Sequence, residues 1–434
     1  MAVGRLYQLK WLVIKLPIAL LAVAVMAWIW TAWLPLPPTH VTLSSGLAEG
    51  IYHAHARRYE EFFARSGVTL RVVSSEGTGQ NLERLAGGAA PRADLAFVQG
   101  GAGDPNRPAR LLTIARVDVE PLWIFSHVAG LDSPLQLQGL RVSLGPAGSG
   151  TRQVGLALLE QVRLSAKDIV DSQLAGPAAV QALASGGLDV VMMVSAPDSP
   201  VVRALLETPG VQLAQLRRSG ALLERMPYLE ARLLPQGAMG SRNNLPARDT
   251  TVLAASASLV ARDDLHPALQ RLAARAAQEI HARPALFRQA GEFPTLKRIE
   301  FPASDAARRT LAQGLPWFEA YLPFWWGQVL LRLLVVCLPV ALLALWLARI
   351  VPAYLRWVLE SRVARWYGEL KYIEHDLNRE TMTGLDLAKY GARLDSIERR
   401  MKEVVTPPYL MPRWFLLRKH VDFVRAGLHR QRGR

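Results

Sequence analysis

The sequence predicts an α/β protein: a bilobal central domain flanked by two transmembrane helices and followed by a C-terminal α-helical hairpin. Three observations predict it. Two long apolar runs bracket the middle of the 434-residue chain. Between them, short apolar strands alternate with amphipathic helices through glycine turns. After the second run, apolar residues recur at alternating steps of four and three. Half of the residues are hydrophobic, enough for a sizeable core and more than one domain.

The first run, "WLVIKLPIALLAVAVMAWIWTAWLPL" from Trp11 to Leu36, is long enough to cross a bilayer. Arg5, Lys10 and Lys15 precede or enter it, and tryptophans sit toward its far end. No small-x-small cleavage site follows, so residues 1–36 read as a cytoplasmic N-terminus and a retained signal anchor. The second run, "FWWGQVLLRLLVVCLPVALLALWLARIV", residues 324–351, has Arg349, Arg356, Arg362 and Arg365 at its far border. Positive residues before the first span and after the second place both termini in the cytoplasm of a bacterial cell and residues 39–323 in the periplasm. Arg332, inside the second run, is expected to snorkel to the interface.

This topology divides the formal charge of +15 unevenly. Thr39 to Pro323 holds 29 Lys and Arg against 26 Asp and Glu, whereas the tail from Arg349 holds 18 against 10. The basic excess therefore lies where anionic headgroups of the inner membrane lie, and nucleic acid is not needed as a partner. Cys337 is the one cysteine and falls in the second run, which leaves the central domain without disulfides, thiol chemistry or a cysteine-based metal site.

In the central domain "VTLSSG" reads as a strand entering a turn, "IYHAHARRYEEFFARSG" as a helix closed by Gly67, and "VTLRVVSS" as the next strand. "GQNLERLAGGA" continues as helix, "ADLAFVQGG" as strand and loop, "VEPLWIFS" and "LRVSLG" as strands, then a helix and the strand "LDVVMMVSAP". The block from Leu140 to about Ala196 repeats the pattern from Val41 to Gln99, which predicts two mostly parallel sheets. "TTVLAASASLVAR" with "HPALQRLAARAAQEI" would return the chain to the first lobe. Strand C-terminal loops then meet at an interlobe cleft, where small ligands bind.

"SLGPAGSGTRQVG", Ser143 to Gly155, carries the glycine spacing of a phosphate loop, but Thr151 and Arg152 stand where its lysine and hydroxyl belong. A glycine-rich turn entering a helix remains, whose free N–H groups suit a small carboxylate, phosphate or sulfate. No H-E-x-x-H, no G-x-S-x-G and no metal-spaced carboxylate set occurs, so neither an enzyme nor a metal or other cofactor is expected. His40, His53 and His55 read as surface residues, because helix positions two apart do not share a face. "RDDLHPAL" reads as a helix entry with acidic residues in its first turn.

"VTLSSGLAEGIYHAHA", "SSEGTGQNLERLAGGAAPRADLAFVQG" and "SLGPAGSGT", in this order, together resemble the TAXI family of solute receptors of TRAP transporters. "LHPAL", "GEFPT" and "YLPFW" are similar to landmarks of its membrane-anchored branch. The resemblance implies a type II periplasmic-binding-protein fold, closure of two lobes on a small anionic solute such as a dicarboxylate or acidic amino acid, and delivery to a TRAP-type permease. Carried over by residue, it implies a first binding loop of Ser45, Gly46 and Tyr52. It implies a second of Gly77, Thr78 and Asn81, with Glu76 departing from the family glycine, and a third of Ser149, Gly150 and Thr151 beside Arg152. Gln99 would stand at the cleft wall, followed by Gly100 and Gly101 where a polar pair is expected; Ser195 and Ala196 would face it. A carboxylate at Glu76 would repel an anion or pair with a ligand amine, unless it faces solvent.

In the cytoplasmic tail, residues 352–434, Leu359, Val363, Trp366, Leu370, Ile373 and Leu377 form one heptad run. Leu387, Tyr390, Leu394, Ile397, Met401 and Val404 form another beyond the breaker "ETMTG". "RWFLLRKHVDFVRAGLHRQRGR" follows, apolar on one side and basic on the other: a helix for the inner leaflet or an acidic partner, or a third helix on the hairpin. An anchored receptor with a helical tail admits a second function, a sensor or regulatory subunit signalling through the hairpin.

Overall fold

The structure is a computed structural model that describes residues 2–48, 50–101, 110–217, 219–240, 242–377, 384–403 and 410–432. The chain forms two compact units, Pro35–Leu331 on the one hand and Met1–Leu34 with Arg332–Arg434 on the other. After the N-terminal helix α1 (Ala2–Ala32), the first of these units begins with β1 (His40–Ser44), α2 (Ile51–Arg65), β2 (Thr69–Val73), α3 (Thr78–Ala86) and β3 (Leu95–Gln99). The long strand β4 (Leu111–Ser126) leads to β5 (Arg141–Ser143), α4 (Gly150–Gln161), β6 (Val170–Ser172), α5 (Gly176–Ala184) and β7 (Val190–Val194). Then come α6 (Pro200–Glu207), β8 (Gln212–Leu213), α7 (Ser219–Arg225), β9 (Leu229–Leu234), β10 (Thr250–Arg262) and α8 (Pro267–His281). Helices α9 (Asp305–Gln313), α10 (Trp317–Tyr321) and α11 (Phe324–Arg332) complete it.

One sheet, not two, runs through both lobes. Its path is β2-β1-β3-β10-β4-β7-β5-β6, with β8 added on β4 and β9 on β10. The parallel pairs are β1 with β2 and β3, and β5 with β6 and β7; every pairing of β4 and β10 is antiparallel. The expectation of two mostly parallel sheets fails because these two strands, 16 and 13 residues long, pair from Leu253–Leu122 to Arg262–Leu111 and so cross from one lobe to the other. Register shifts at Ala257/Ser258 and Leu259/Val260 bend the pair, as bulges do.

The first lobe packs Leu43, Phe63, Leu95, Phe97, Ile114 and Leu259 under α2 and α8. In the second, β4 alternates: Leu122 and Ile124 face Val142 and Leu158, while Trp123 and Phe125 face Leu183 and Val202. Each fully buried side chain of this size contributes ~1.5–3 kcal/mol. The entry to α8 differs from expectation. His266 is the N-cap, accepting from the Ala268 N–H at 3.1 Å, and the acidic pair Asp263 and Asp264 lies ahead of the helix, with Asp264 paired to Arg262.

In the other unit, a π-helical turn, Leu333–Cys337, leads into α12 (Leu338–Leu377), which packs on α1. Two segments, Ile14–Ala32 and Phe324–Leu377, are long and apolar enough to cross a membrane. Arg332 is almost fully buried, and its Nε donates to the Leu34 carbonyl at 2.9 Å, just beyond the end of α1, where carbonyls lack helical partners. The tail adds α13 (Gly384–Glu403) and α14 (Met411–Arg432). Leu370 and Ile373 of α12, Leu394 and Ile397 of α13, and Leu417, Val421 and Val424 of α14 share one core. The apolar stripe of the basic helix is thus buried among the heptad runs, and Arg425 pairs with Asp395 at 2.6 Å and Glu398 at 2.9 Å. Val404, residues 380–383 of the breaker and 406–409 of the following "TPPYLMP" lie outside the described residues.

Candidate functional site

The three loops expected to bind a solute meet at the seam between the lobes. In the first, the Ser45 hydroxyl donates to the Val73 carbonyl at 3.0 Å and lies 3.0 Å from His53 Nδ1. Gly46 leaves room for Tyr52, whose Cβ would be 3.4 Å from a side chain placed there. Tyr52 stacks on Phe97 with ring centroids 5.3 Å apart, and its hydroxyl donates to Glu120 Oε2 at 2.8 Å.

In the second loop, Gly77 has φ +140° and ψ −163°, a conformation nearly confined to glycine, and a Cβ there would lie 3.2 Å from the Gly148 carbonyl of the third loop. The Thr78 hydroxyl accepts from the Gln99 N–H at 3.1 Å. Asn81 is fully buried. Its Nδ2 donates to the carbonyls of Ser45 and Phe97, both at 2.8 Å, while Oδ1 accepts from the Ser44 hydroxyl at 2.6 Å. These bonds tie the ends of β1 and β3 together, so Asn81 shapes the loops from below.

The third loop is a capped helix start. Ser149 accepts from the Arg152 N–H at 3.2 Å and donates to the Pro146 carbonyl at 2.8 Å; Thr151 Oγ1 accepts from the Val194 N–H at 2.9 Å. Arg152 is held by Asp171 and by the Gly145 carbonyl. The N–H groups of Gly150 and Thr151, in the first turn of α4, have no intrahelical acceptor. Gln99 lies against Gly150 so closely that any Cβ at Gly150 would collide with its carboxamide. Gln99 is 5% exposed and its Nε2 has no hydrogen-bond partner. A buried donor and a helix start thus converge at one point. Across the seam, Ser195 uses its backbone within the fold, its carbonyl accepting from Trp123 Nε1 at 2.8 Å.

Glu76, the departure noted in the sequence, is exposed. The carboxylate that reaches the seam is Glu120, in the middle of β4. Burial raises it from its ordinary 4.5 to about 7, with the Tyr52 hydrogen bond opposing and Asp118 adding to the rise. Sequence reasoning missed it, although Arg116, Asp118 and Glu120 at alternate positions of an apolar stretch are a signal. Gly100 and Gly101 also gain a reason: Gly101 has φ +87°, and a Cβ there would run into the ring of Tyr228.

The histidines correct another expectation. His55 is not a surface residue: its ring meets that of fully buried His281 at 4.7 Å, edge to face. Burial lowers His55 to about 4 and takes His281 well below the usual histidine range. Cavities of about 400 and 510 Å³ lie elsewhere in the unit, the first beside Asp132 and Arg217, the second beside Phe62 and Trp325.

The profile of the NMT1-like family matches residues 50–279. Among solved structures, the alkanesulfonate-binding protein SsuA from Xanthomonas axonopodis pv. citri, bound to MOPS, is 17% identical with a TM-score of 0.35, covering 57% of this chain and 74% of that one. The periplasmic aliphatic sulphonate binding protein SsuA of Escherichia coli is 16% identical with a TM-score of 0.38, covering 56% and 69%. Likenesses at this level carry no argument about ligands. No curated protein matches the sequence. The family profile spans more than half of the chain, over the lobes that the curled mixed sheet joins, and the chain belongs to the NMT1-like family, with a periplasmic-binding-protein-like α/β fold.

Proposed function

We propose that the chain is a membrane-anchored extracytoplasmic solute receptor of the TAXI type that closes its lobes on a small carboxylate-bearing solute for a TRAP-type permease. One observation carries the reading: loops far apart in sequence meet at the lobe seam, where the unpartnered Gln99 Nε2 lies at the α4 N-terminus. Two kinds of N–H there suit a carboxylate. Glu120 with Tyr52, reaching the same seam, suits an amine. Together they favour an amino acid over a plain dicarboxylate. Solute that touches both lobes would stabilise the closed arrangement. In this reading α1 and the helix from Phe324 onward cross the inner membrane, both termini are cytoplasmic, and the chain acts as a binding protein with no catalytic role.

The test is thermal stabilisation of the full chain in mild detergent by amino acids, dicarboxylates, sulfonates and inorganic anions, with Glu120→Gln and Gln99→Leu as variants. An amino acid should stabilise the wild type. Gln99→Leu should weaken every carboxylate, and Glu120→Gln only those bearing an amine. A folded protein that responds to none of the panel would overturn the reading.

One feature supports signalling as a second reading. Helix α12 runs without a break from its apolar half into the core of the tail bundle, so a movement at its outer end would reach that bundle directly. Copurification of a permease would favour transport, and of an effector bound through the tail, signalling.

A further inference from the structure

Beneath the Tyr52–Glu120 pair lies a second group of polar side chains that the solute site does not use. His55 comes from α2, one turn beyond Tyr52; Asp118 from β4, two residues before Glu120; His281 is the last residue of α8. Each offers one nitrogen or oxygen, and these atoms all lie within 4.8 Å of one another. We propose that His55, Asp118 and His281 bind a divalent transition-metal ion of the zinc class.

The strongest observation is His281. It is fully buried, and neither ring nitrogen has a hydrogen-bond partner. A native interior rarely leaves both nitrogens of an imidazole unpaired, and a metal ion supplies a bond to one of them. The Tyr59 hydroxyl, whose ring centroid is 5.8 Å from that of His281, is buried and unpartnered as well. Orphaned polar atoms gather at this point.

The chemistry of the donors fits. Two imidazoles and a carboxylate supply the nitrogen and oxygen ligands that zinc takes. The carboxylate is already oriented: Arg288 Nη1 donates to Asp118 Oδ2 at 2.8 Å, and the Val119 N–H donates to Oδ1 at 2.8 Å. Such outer partners are what fixes a ligating carboxylate. Zinc–ligand bonds of ~2.0–2.2 Å place donor atoms roughly 3.3 Å apart, so no pair of donors need approach by more than about 1.5 Å.

Arg58 and Arg288 oppose a cation, as their effect on both histidines shows. The site therefore selects an ion that gains most from imidazole nitrogen. Magnesium and calcium, which take oxygen ligands, should not enter. A bound ion would clamp the middle of β4 to α2 and α8, directly behind the solute seam.

The experiment uses the full chain in mild detergent, free of any histidine tag and stripped of metal by a chelator. Zn²⁺ and Co²⁺ are titrated against a competing chromophoric chelator, Mg²⁺ serves as the control ion, and Co²⁺ absorption reports the coordination geometry. The proposal expects one Zn²⁺ per chain, intense visible Co²⁺ bands of low-coordinate type, no response to Mg²⁺, and at least a tenfold loss of affinity in His55→Gln, Asp118→Asn and His281→Gln. His55→Gln, at a half-buried position, keeps the test open if His281→Gln does not fold. His53→Gln should bind as the wild type does. A wild type that takes no Zn²⁺, or equal affinity in wild type and His55→Gln, overturns the proposal.

Discussion

Glu120→Gln separates the cost of a buried carboxylate from everything around it. In the folded chain burial raises this group from its ordinary 4.5 to about 7, the Tyr52 hydroxyl pulls it back, and the Asp118 charge pushes it further up. A carboxylate raised on folding binds more protons folded than unfolded between those two values. Its contribution is therefore present below 4.5 and lost as the pH rises toward 7. A gap of about two and a half pH units, at ~1.4 kcal/mol each, makes that loss ~3 kcal/mol. His55 runs the other way. Burial lowers it from 6.5 to about 4, so its stabilisation is full above 6.5 and lost as the pH falls toward 4. In the wild type the losses from Glu120 and Asp118 oppose the gains from the two buried histidines, His55 and His281, and blunt the rise of stability with pH across this window. In Glu120→Gln only Asp118, which burial also raises, still opposes the two histidines, and stability should rise with pH more steeply than in the wild type. Urea unfolding of both proteins in detergent, followed by circular dichroism from ~pH 4.5 to ~pH 8, measures the difference. The variant should gain ~3 kcal/mol relative to the wild type between those limits. Parallel curves would refute the placement of Glu120 as a buried, desolvated acid.

Other substitutions test the loops and the tail. Gly77→Ala forces a Cβ into a backbone conformation nearly confined to glycine, 3.2 Å from the Gly148 carbonyl. It should cost ~1–3 kcal/mol in the same unfolding assay, while Gly79→Ala, in a helix and 3.8 Å from that carbonyl, should cost nothing. Asn81→Ala strands the carbonyls of Ser45 and Phe97 and should lower stability by ~2 kcal/mol or more, which a drop in melting temperature would record. Ser149→Ala removes an N-cap worth ~1 kcal/mol. Solute affinity in that variant, measured by calorimetry, should stay within a few-fold of wild type, since the hydroxyl is spent on Arg152 and Pro146. In the tail, Ile373→Ala empties part of the shared core at a cost of ~2–5 kcal/mol, and limited proteolysis should then cut α13 and α14 before the lobes.

The loops were legible in the sequence because they are local. Glycine and serine at strand ends and helix starts state their turn and cap chemistry within a few residues, and the structure places Gly77, Gln99 and Gly150 at one seam. The single sheet was not legible. Its unity rests on β4 meeting β10 more than a hundred residues away, a pairing no local pattern announces. The charges at Arg116 and Asp118 also hid the first half of β4, leaving only Val119 to Ser126 to be read as a strand. His55 failed in the same way, because the residue that buries beside it is His281.

This difference bears on where function is sought. The hydroxyls and amide that drew attention in the sequence, Ser149, Thr151 and Asn81, are hydrogen-bonded within the fold and would be so with no ligand at all. Ser149 caps its own helix, and Thr151 and Asn81 satisfy backbone groups of neighbouring strands and loops, so all three have a structural use. Glu120, Gln99 and His281 are different. Each is polar, nearly or fully buried, and on a strand or helix whose neighbours are apolar. Glu120 costs stability at neutral pH, Gln99 leaves a donor unpaired, and His281 leaves two nitrogens unpaired. An apolar residue at any of the three would make a more stable protein by the arithmetic of burial. On the proposed reading these are the groups that a solute or an ion would satisfy, and all three lie around the strand that joins the lobes or the loops that meet at its side.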